Sequence, residues 1–574
     1  MAYKSLQHCI SDLEKKGELF RITEQVNPDL EMASMHLDEF AKDGKALFFE
    51  NIKGSKYKAI SNLFGNLERS RFMFRDSLQI VKDLIDIKTN PISALKTPFR
   101  SFFTALNGIY SIPKKVRFKG FKEIQIKDLP QIKCWKDDGG AFITLPQVYT
   151  EDADKPGVMN SNLGMYRIQL SGNDYLINKE VGMHYQIHRG IGVHQKKANE
   201  IGESLKVSIF IGGPPSHTFA AVMPLPEGMS EISFAGVLGK RRFRYAKKEG
   251  YTISSDADFV ICGELHPNKL KPEGPFGDHL GYYSLKHDFP VLKVKKVYAK
   301  ENAIWPFTVV GRPPQEDSQF GALIHEITGK AIEKEIPGLK AVNAVDKSGV
   351  HPLLLAVGSE RYTPYNPTKK PQELLTIANH ILGTGQMSLA KYVFICDEEN
   401  APDVNNEKEY FTHFLERVDW QRDLHFQTKT TIDTLDYSGD GLNEGSKVVI
   451  AAAGEIKQDL STEIDEIDLP DNFSNPKLVS NGNLVVEGEG EINILIASLE
   501  KQILDGIALI TLVDNSAFVS EYFSNWLWVT FTRSNPANDI YGLNEETRNK
   551  HFSCSLPIID ARIKKHHAPV LERS

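Results

Sequence analysis

Residues 258–265 read DFVICGEL and residues 291–299 read VLKVKKVYA. Both runs are short, alternating and rich in β-branched side chains, so each predicts a strand. Similar runs lie around them: MYRIQLSG at 165–172, VSIFIGG at 207–213 and FTVVG at 307–311. From about Ile124 to Pro314 these runs are separated by Gly and Pro, the pattern of a β-barrel or sandwich and not of a parallel βαβ sheet. The chemistry is expected in this region.

On the N-terminal side, residues 4–16 carry apolar positions at helical spacing and GELFRITEQV alternates as a strand. NPDLEMASMHLDEFAKDG predicts a helix with Asn27 or Asp29 as its cap and Gly44 as its stop, followed by the strand ALFFENI. These elements make a small mixed α/β domain of residues 1 to about 85. From Ile87 to Lys122 a basic, Pro-containing stretch reads as a connecting arm. Beyond Gln319, HEITGKAIEKEIPGLKAV, PQELLTIANHILG and KYVFICDEEN alternate helix with strand, an α/β layer domain. Within it Asp397, Glu409-Tyr410-Phe411, Arg417, Asp419 and Asp423 are echoed by Asp514, Glu521-Tyr522-Phe523, Arg533 and Asp539. The echo points to a duplicated strand-helix unit.

A chain of 574 residues exceeds one compact core, and two to four domains are expected. Its 41% hydrophobic and 25% charged residues exclude wholesale disorder, collagen and coiled coil. Lys plus Arg is 68 and Asp plus Glu 75, so the net charge is 68 − 75 = −7, which argues against a dedicated nucleic-acid protein. The five cysteines are far apart without CxxC, which reads as a reducing cytosol. The first helical stretch carries charges where a signal peptide is apolar, and no run nears the ~18 apolar residues of a membrane span. A cytoplasmic enzyme is expected.

Polar residues suited to a site concentrate in four segments. NSNLGMYRIQ holds Asn162 and Arg167. VGMHYQIHRGIGVH, read as a strand, places His184, Gln186 and His188 on one face with Arg189 opposite. MPLPEGMSEISFAG delivers Glu231 after a Pro224-x-Pro226 turn. Asn, His and Glu donors together suit Mn²⁺ or Mg²⁺ better than zinc, although an Asn before Gly is commonly a turn residue and a strand histidine commonly structural. His184 and His188 also have the spacing of half a helical zinc site, but no Glu follows His184, and Gly190 and Gly192 argue against a helix. In KPEGPFGDHLGYYS, Glu273 and Asp278 flank a loop bent by Pro and Gly, so both acids could converge; repulsion would then keep one protonated, with Arg167 opposing. The bland alternative is a solvated surface turn, against which the two prolines, two glycines and Tyr282-Tyr283 weigh.

The segments NLGMYRIQ, HYQIHRG, MPLPEGMSEISFAG, PEGPFGDHLGYYS and TVVGRPP, in this order and at these intervals, resemble the UbiD family of decarboxylases that use prenylated flavin mononucleotide. The close match runs from about Leu145 to Pro314. The resemblance implies a mixed α/β and β chain of three parts. These are an N-terminal α/β domain with the basic arm (1–122), a central split β-barrel of flavin-reductase type (123–318) and a C-terminal α/β domain with an extension (319–574). It implies Asn162, His188 and Glu231 as ligands of Mn²⁺ (or Mg²⁺) at the flavin phosphate, with a monovalent cation such as K⁺ nearby. Met165, Tyr166 and Arg167 match one flavin-contacting stretch, and His184, Tyr185, Gln186, Arg189 and Gly190 a second. There His184-Tyr185-Gln186 replaces the Arg-Trp-Leu or similar residues common in the family.

Arg167, Glu273 and Asp278 match the family's ionic catalytic trio. Glu273 is the expected proton donor, although some members assign that role to the Asp278 position. The implied activity is reversible, non-oxidative decarboxylation of a hydroxylated aromatic carboxylic acid, with quinone precursors such as a polyprenyl-hydroxybenzoate or a naphthoate among the candidates. A flavin prenyltransferase would supply the cofactor, and a homo-oligomer, dimer or hexamer, is expected. Two other classes compete: an ordinary FMN oxidoreductase, which the lack of a GxGxxG after a strand disfavours, and a noncatalytic subunit of a multicomponent carboxylase.

Overall fold

The computed structural model describes residues 2–89, 107–185, 190–225, 229–362, 365, 368–464 and 466–573. It divides into two compact units. The first takes Met1–Asp278, Tyr282–Ala331 and Val570–Ser574. It opens with α1 (Leu6–Lys16), β1 (Leu19–Val26), α2 (Glu31–Phe40), β2 (Ala46–Ile52), β3 (Lys58–Ser61), α3 (Leu67–Met73) and α4 (Leu78–Thr89). The cap of α2 is Leu30 at φ 67°, not Asn27 or Asp29. The Asn27 carbonyl accepts the Met32 N–H, its N–H donates to the Glu31 carboxylate, and its Oδ1 accepts the Asp29 N–H (3.2 Å) without reaching the helix. The helix stops at Phe40, and Gly44 closes the following turn by donating to the Glu39 carbonyl.

The middle of the chain supplies β4 (Lys114–Lys115), β5 (Phe121–Ile124), β6 (Phe142–Ile143), β7 (Gln147–Glu151), β8 (Ser161–Gly164), β9 (Ile168–Gln169) and β10 (Glu180–Met183). Then come α5 (Gly190–Glu200), β11 (Leu205–Ile211), α6 (Pro215–Val222), α7 (Glu231–Leu238), β12 (Arg244–Lys248), β13 (Tyr251–Ser254), β14 (Phe259–Glu273), β15 (Phe276–Gly277), β16 (Tyr283–Ser284), β17 (His287–Lys300) and β18 (Ile304–Pro306). Nine of these strands form an antiparallel sheet ordered β6-β9-β10-β17-β14-β11-β7-β8, with β5 also on β17. The long pair β14 and β17 is its spine, and register shifts at Cys262/Gly263 and Leu265/Leu270 bend it.

The described part of the expected arm is therefore woven in: β5 joins this sheet and β4 pairs with β12. FTVVG is not a strand: the Phe307 N–H to the Ile60 carbonyl is the last bond of the β18–β3 pair, and the Thr308 N–H turns to the Thr144 hydroxyl. β18 returns to pair with β3, completing a four-stranded sheet β1-β2-β3-β18. One apolar core accordingly spans both sheets, with Tyr57 edge-on to Phe259 at 4.9 Å and Phe259 against Trp305 at 5.2 Å.

The second unit holds His279–Gly281 and Ile332–Pro569. α8 (Glu316–Glu335) leads into β19 (Leu339–Ala344), β20 (Leu353–Gly358), α9 (Glu373–Leu382), β21 (Tyr392–Asp397), α10 (Glu407–Leu415), β22 (Leu424–Thr430) and β23 (Gly445–Ala452). Then follow β24 (Phe473–Ser480), β25 (Asn483–Gly488), α11 (Ile492–Leu499), β26 (Leu509–Val513), α12 (Ser516–Glu521), α13 (Phe523–Arg533), α14 (Pro536–Asp539), β27 (Ile540–Leu543), β28 (Glu546–Arg548), β29 (His551–Ser553) and β30 (Leu556–Asp560).

Two five-stranded sheets result, β19-β20-β21-β23-β22 and β24-β25-β26-β30-β27, and their pairings agree strand for strand. In each, the first pair is antiparallel, the next two parallel and the last antiparallel. The registers agree as well. Leu339 faces Gly358 as Phe473 faces Gly488, and Leu424 faces Ile450 as Ile540 faces Ile559. The duplication suggested by the sequence is thus a repeated fold, and Arg417, Asp419 and Asp423 fall opposite Arg533, Asn535 and Asp539. The Glu-Tyr-Phe tripeptides do not correspond: Tyr410 lies inside α10, whereas Tyr522 is the break between α12 and α13, and Trp526 takes the place of Tyr410.

The repeats dock reciprocally. Trp420 donates its indole N–H to the Ala508 carbonyl (2.8 Å) and accepts the Cys554 N–H, while Tyr392 shares a hydrogen bond with Ser534 (2.7 Å) and Ser446 donates its N–H to Asn535 (2.9 Å).

Candidate active site

Arg167 sits one residue before β9, Glu273 ends β14 and Asp278 follows β15, so three strand ends of the first unit bring them together. The Arg167 guanidinium forks onto Glu273, with Nε 2.9 Å from Oε1 and Nη2 2.8 Å from Oε2. Its Nη1 donates to Asp278 Oδ2, and Nη2 also reaches the Ser284 hydroxyl at 2.7 Å. Phe276 lies beneath the guanidinium, 4.7 Å from its ring centre. Both acids are buried, so the loop KPEGPFGDHLGYYS is not the solvated turn of the bland reading. Arg167 thus bridges two buried carboxylates.

The turn between the acids is built for this convergence. Gly274 has φ +91°, a conformation that side chains rarely adopt. A Cβ at Gly277 would lie 2.1 Å from the Trp135 ring. Asp138 accepts the N–H groups of Gly277 (2.8 Å), Trp135 (2.9 Å) and Cys134 (3.2 Å), and burial pushes its carboxyl up to about 6. Gln169 accepts the Gly274 N–H, and Asn173 donates to the Pro272 and Gly274 carbonyls. Ser284, Phe276, Asp138, Gln169 and Asn173 were missed in the sequence; only the Asp-Asp-Gly-Gly run after Trp135 hinted at a turn there.

Asn162 (on β8), Gly190 (at the start of α5) and Glu231 (at the start of α7) line one cavity of about 710 Å³, a size suited to a cofactor. Burial pushes the Glu231 carboxyl up, and the carboxylate accepts its own N–H and that of Leu163, 3.4 Å away. The Asn162 amide nitrogen is buried without a partner. A buried carboxylate with no cationic partner among the described residues fits a metal, and the unpartnered Asn162 amide N–H, a donor, fits an anion oxygen beside it, so these residues are compatible with a metal-held phosphate. His188, Gln186 and Arg189 lie outside the described residues.

The sequence reading placed a strand at His184 and argued against a helix at Gly190 and Gly192. The structure ends β10 at Met183 and starts α5 at Gly190. A Cβ at Gly190 would sit 2.0 Å from Asn162 Oδ1, so glycine is present for close approach, and the roughly 1 kcal/mol helix penalty is outweighed by packing. Of the residues expected to contact a flavin, Met165 donates its N–H to the Ala221 carbonyl (2.8 Å), and the rings of Tyr166 and Tyr185 meet at 6.0 Å. His184 donates its N–H to the Arg167 carbonyl (3.2 Å) and packs its ring on Phe289 at 4.2 Å.

Residues 10–88, 111–313 and 318–452 match the N-terminal, Rift-related and C-terminal domains of 3-octaprenyl-4-hydroxybenzoate carboxy-lyase. The chain belongs to the UbiD family and is a carboxy-lyase, a decarboxylase. It is 35% identical over 588 residues to a 4-hydroxybenzoate decarboxylase subunit of Chlamydia pneumoniae, and the match spans 99% of this chain and 95% of that one. Among solved structures it resembles the closed vanillic acid decarboxylase of Sedimentibacter hydroxybenzoicus (TM-score 0.67, 23% identity, 82% of this chain and 97% of that one). It also resembles HmfF of Pelotomaculum thermopropionicum in complex with prFMN (TM-score 0.59, 19% identity, 81% and 97%). The family matches end at residue 452, before the second repeat. Among the described residues no helix is long and apolar enough to cross a membrane.

Proposed function

We propose that this chain is the catalytic polypeptide of a prenylated-FMN-dependent, reversible decarboxylase acting on a hydroxylated aromatic carboxylic acid in the cytoplasm. The buried Arg167–Glu273–Asp278 trio carries the reading. The substrate class is supported by relatives named for 4-hydroxybenzoate and vanillic acid; a quinone precursor such as a polyprenyl-hydroxybenzoate or naphthoate fits the same class. The flavin is supported by HmfF, solved with FMN and with prFMN. Asn162, Glu231 and His188 would hold its phosphate through Mn²⁺ or Mg²⁺ with K⁺ nearby, inside a central domain of split-barrel type. A flavin prenyltransferase would load it.

When bound, the modified flavin supplies the sink for the electron pair left as CO₂ departs. The protein's own residues do the rest. Arg167 is held in place by its ties to both acids, so its charge orients the substrate carboxylate. Glu273 holds a proton at Oε1 or Oε2 and delivers it to the carbon that lost CO₂, with Asp278 and Arg167 setting its proton affinity. In the carboxylating direction the same oxygen takes the proton back. The chlamydial relative is named as one subunit of a decarboxylase, which favours a second polypeptide beside this one; a homo-oligomer is the alternative assembly, and retention of the whole trio favours a catalytic role here. The test is CO₂ release after coexpression with a flavin prenyltransferase: Glu273→Gln should lower turnover by about 10²–10⁴-fold with flavin still bound. Wild-type turnover in that variant removes Glu273 from the chemistry.

A further inference from the structure

His279, His351 and Asp433, all in the second unit, converge so that one ligand atom from each lies within 4.8 Å of the others. Asp433 is buried and the two rings are half-buried, which leaves an open side. Asp433 accepts the Leu435 N–H on Oδ1 (2.8 Å) and the His351 ring on Oδ2. The His279 and His351 rings stand edge to face at 6.3 Å.

The backbone around each donor is fixed by further contacts. His351 follows Val350, whose φ of 71° is an uncommon, strained conformation for a β-branched residue. The segment after His279 is pinned where Trp528 donates to the Leu280 carbonyl (2.8 Å) and where Leu280 packs on Gly349 so closely that a Cβ there would lie 2.2 Å away. The Asp433 loop is anchored by the buried Lys391–Asp436 ion pair at 2.7 Å.

The second repeat serves as an internal control. By register His351 corresponds to Asn481, since Leu353 faces Tyr392 as Asn483 faces Leu509. The place of the Asp433 loop is taken by the β28–β29 hairpin, and Ser480, opposite Val350, is not among the positive-φ residues. The same fold therefore forms without the cluster, which the scaffold does not explain.

We propose that His279, His351 and Asp433 form a site for a divalent transition-metal ion, separate from the Asn162 and Glu231 set. Two imidazoles and one carboxylate are the donors of three-ligand zinc sites that keep a position open for water, and this borderline set suits Zn²⁺ or Co²⁺ better than Mg²⁺. Binding replaces the His351–Asp433 hydrogen bond with bonds from the ring nitrogen and the carboxylate oxygen to the ion.

The experiment is metal stoichiometry on the full chain, stripped with EDTA and equilibrated with Zn²⁺, with Co²⁺ absorption as a second readout. Wild type should retain one more equivalent than Asp433→Asn or His279→Gln, and Glu231→Gln should keep that equivalent. The half-buried His279 provides the milder variant should Asp433→Asn fail to fold, as judged by circular dichroism. Equal zinc in wild type and folded His279→Gln, or loss of the equivalent in Glu231→Gln, overturns the site. Neither readout depends on flavin or CO₂ release, so the decarboxylase reading stands or falls separately.

Discussion

At Asp423 and Asp539 the two repeats use the same residue in the same way; at His351 and Asn481 they part. Each of the two acids is buried, accepts the N–H four residues earlier (Asp419, 2.9 Å; Asn535, 2.6 Å) and donates its own N–H back to that residue's carbonyl. The shared set holds the turn into the outer strand. The unshared set, His351, Asp433 and the Lys391–Asp436 pair, occurs only in the repeat that the family match covers. What both repeats keep is scaffold, and what one lacks is the place to look for function.

The largest effect is expected where the repeats agree. Asp423→Ala and Asp539→Ala should each cost about 2–3 kcal/mol in denaturant unfolding, because a buried N–H loses its acceptor. Unequal losses would break the equivalence. Burial pushes the Asp423 carboxyl up to about 6, and Asp539 moves the same way. The native state therefore holds its proton more tightly than the unfolded chain, whose value is about 3.9. That contribution favours folding at low pH and is lost as pH rises through about 4–6; Asp423→Asn should flatten this fall in a pH series of unfolding curves.

A middle-sized effect sharpens the comparison at equivalent glycines. A Cβ at Gly488 would meet the Asn472 carbonyl at 2.4 Å, whereas at Gly358 it meets the methyl ends of Ile377 (2.9 Å) and Leu374 (3.0 Å). Gly488→Ala should therefore cost about 2 kcal/mol and Gly358→Ala less than about 1, because a side-chain end can move and a paired backbone cannot. Equal melting temperatures would contradict this. The smallest effect is Tyr392→Phe, which removes one buried hydrogen bond between repeats and should lower stability by about 1 kcal/mol without changing zinc content.

The order of elements and the convergence of Arg167, Glu273 and Asp278 were legible in the sequence because short-range signals carry them. Strand alternation located β11, β14 and β17, and five motifs at fixed intervals located Arg167, Glu273 and Asp278. Other features depend on contacts that a local pattern does not contain. The helix at Gly190 was hidden because glycine is there for the approach of Asn162, and propensity alone reads it as a breaker. The Glu-Tyr-Phe echo misled because identical tripeptides fell out of structural register, whereas Arg417 and Arg533 did not. His351 and Asp433 stand 82 positions apart, and nothing nearby in the chain marks them as neighbours.

Reciprocal docking of Trp420 on the second repeat and of Ser534 and Asn535 on the first is the geometry of a twofold dimer drawn with a single thread. In a dimer of identical chains every substitution is made twice, and pairing weakens on dilution. Here the linker sets a fixed, high effective concentration, so the pairing does not depend on how much protein is present. Each half of the interface is also free to change without its mirror image, as Tyr392 opposite Leu509 and Trp420 opposite Pro536 show. With both copies in one chain, what would be one symmetric contact is two independently adjustable ones.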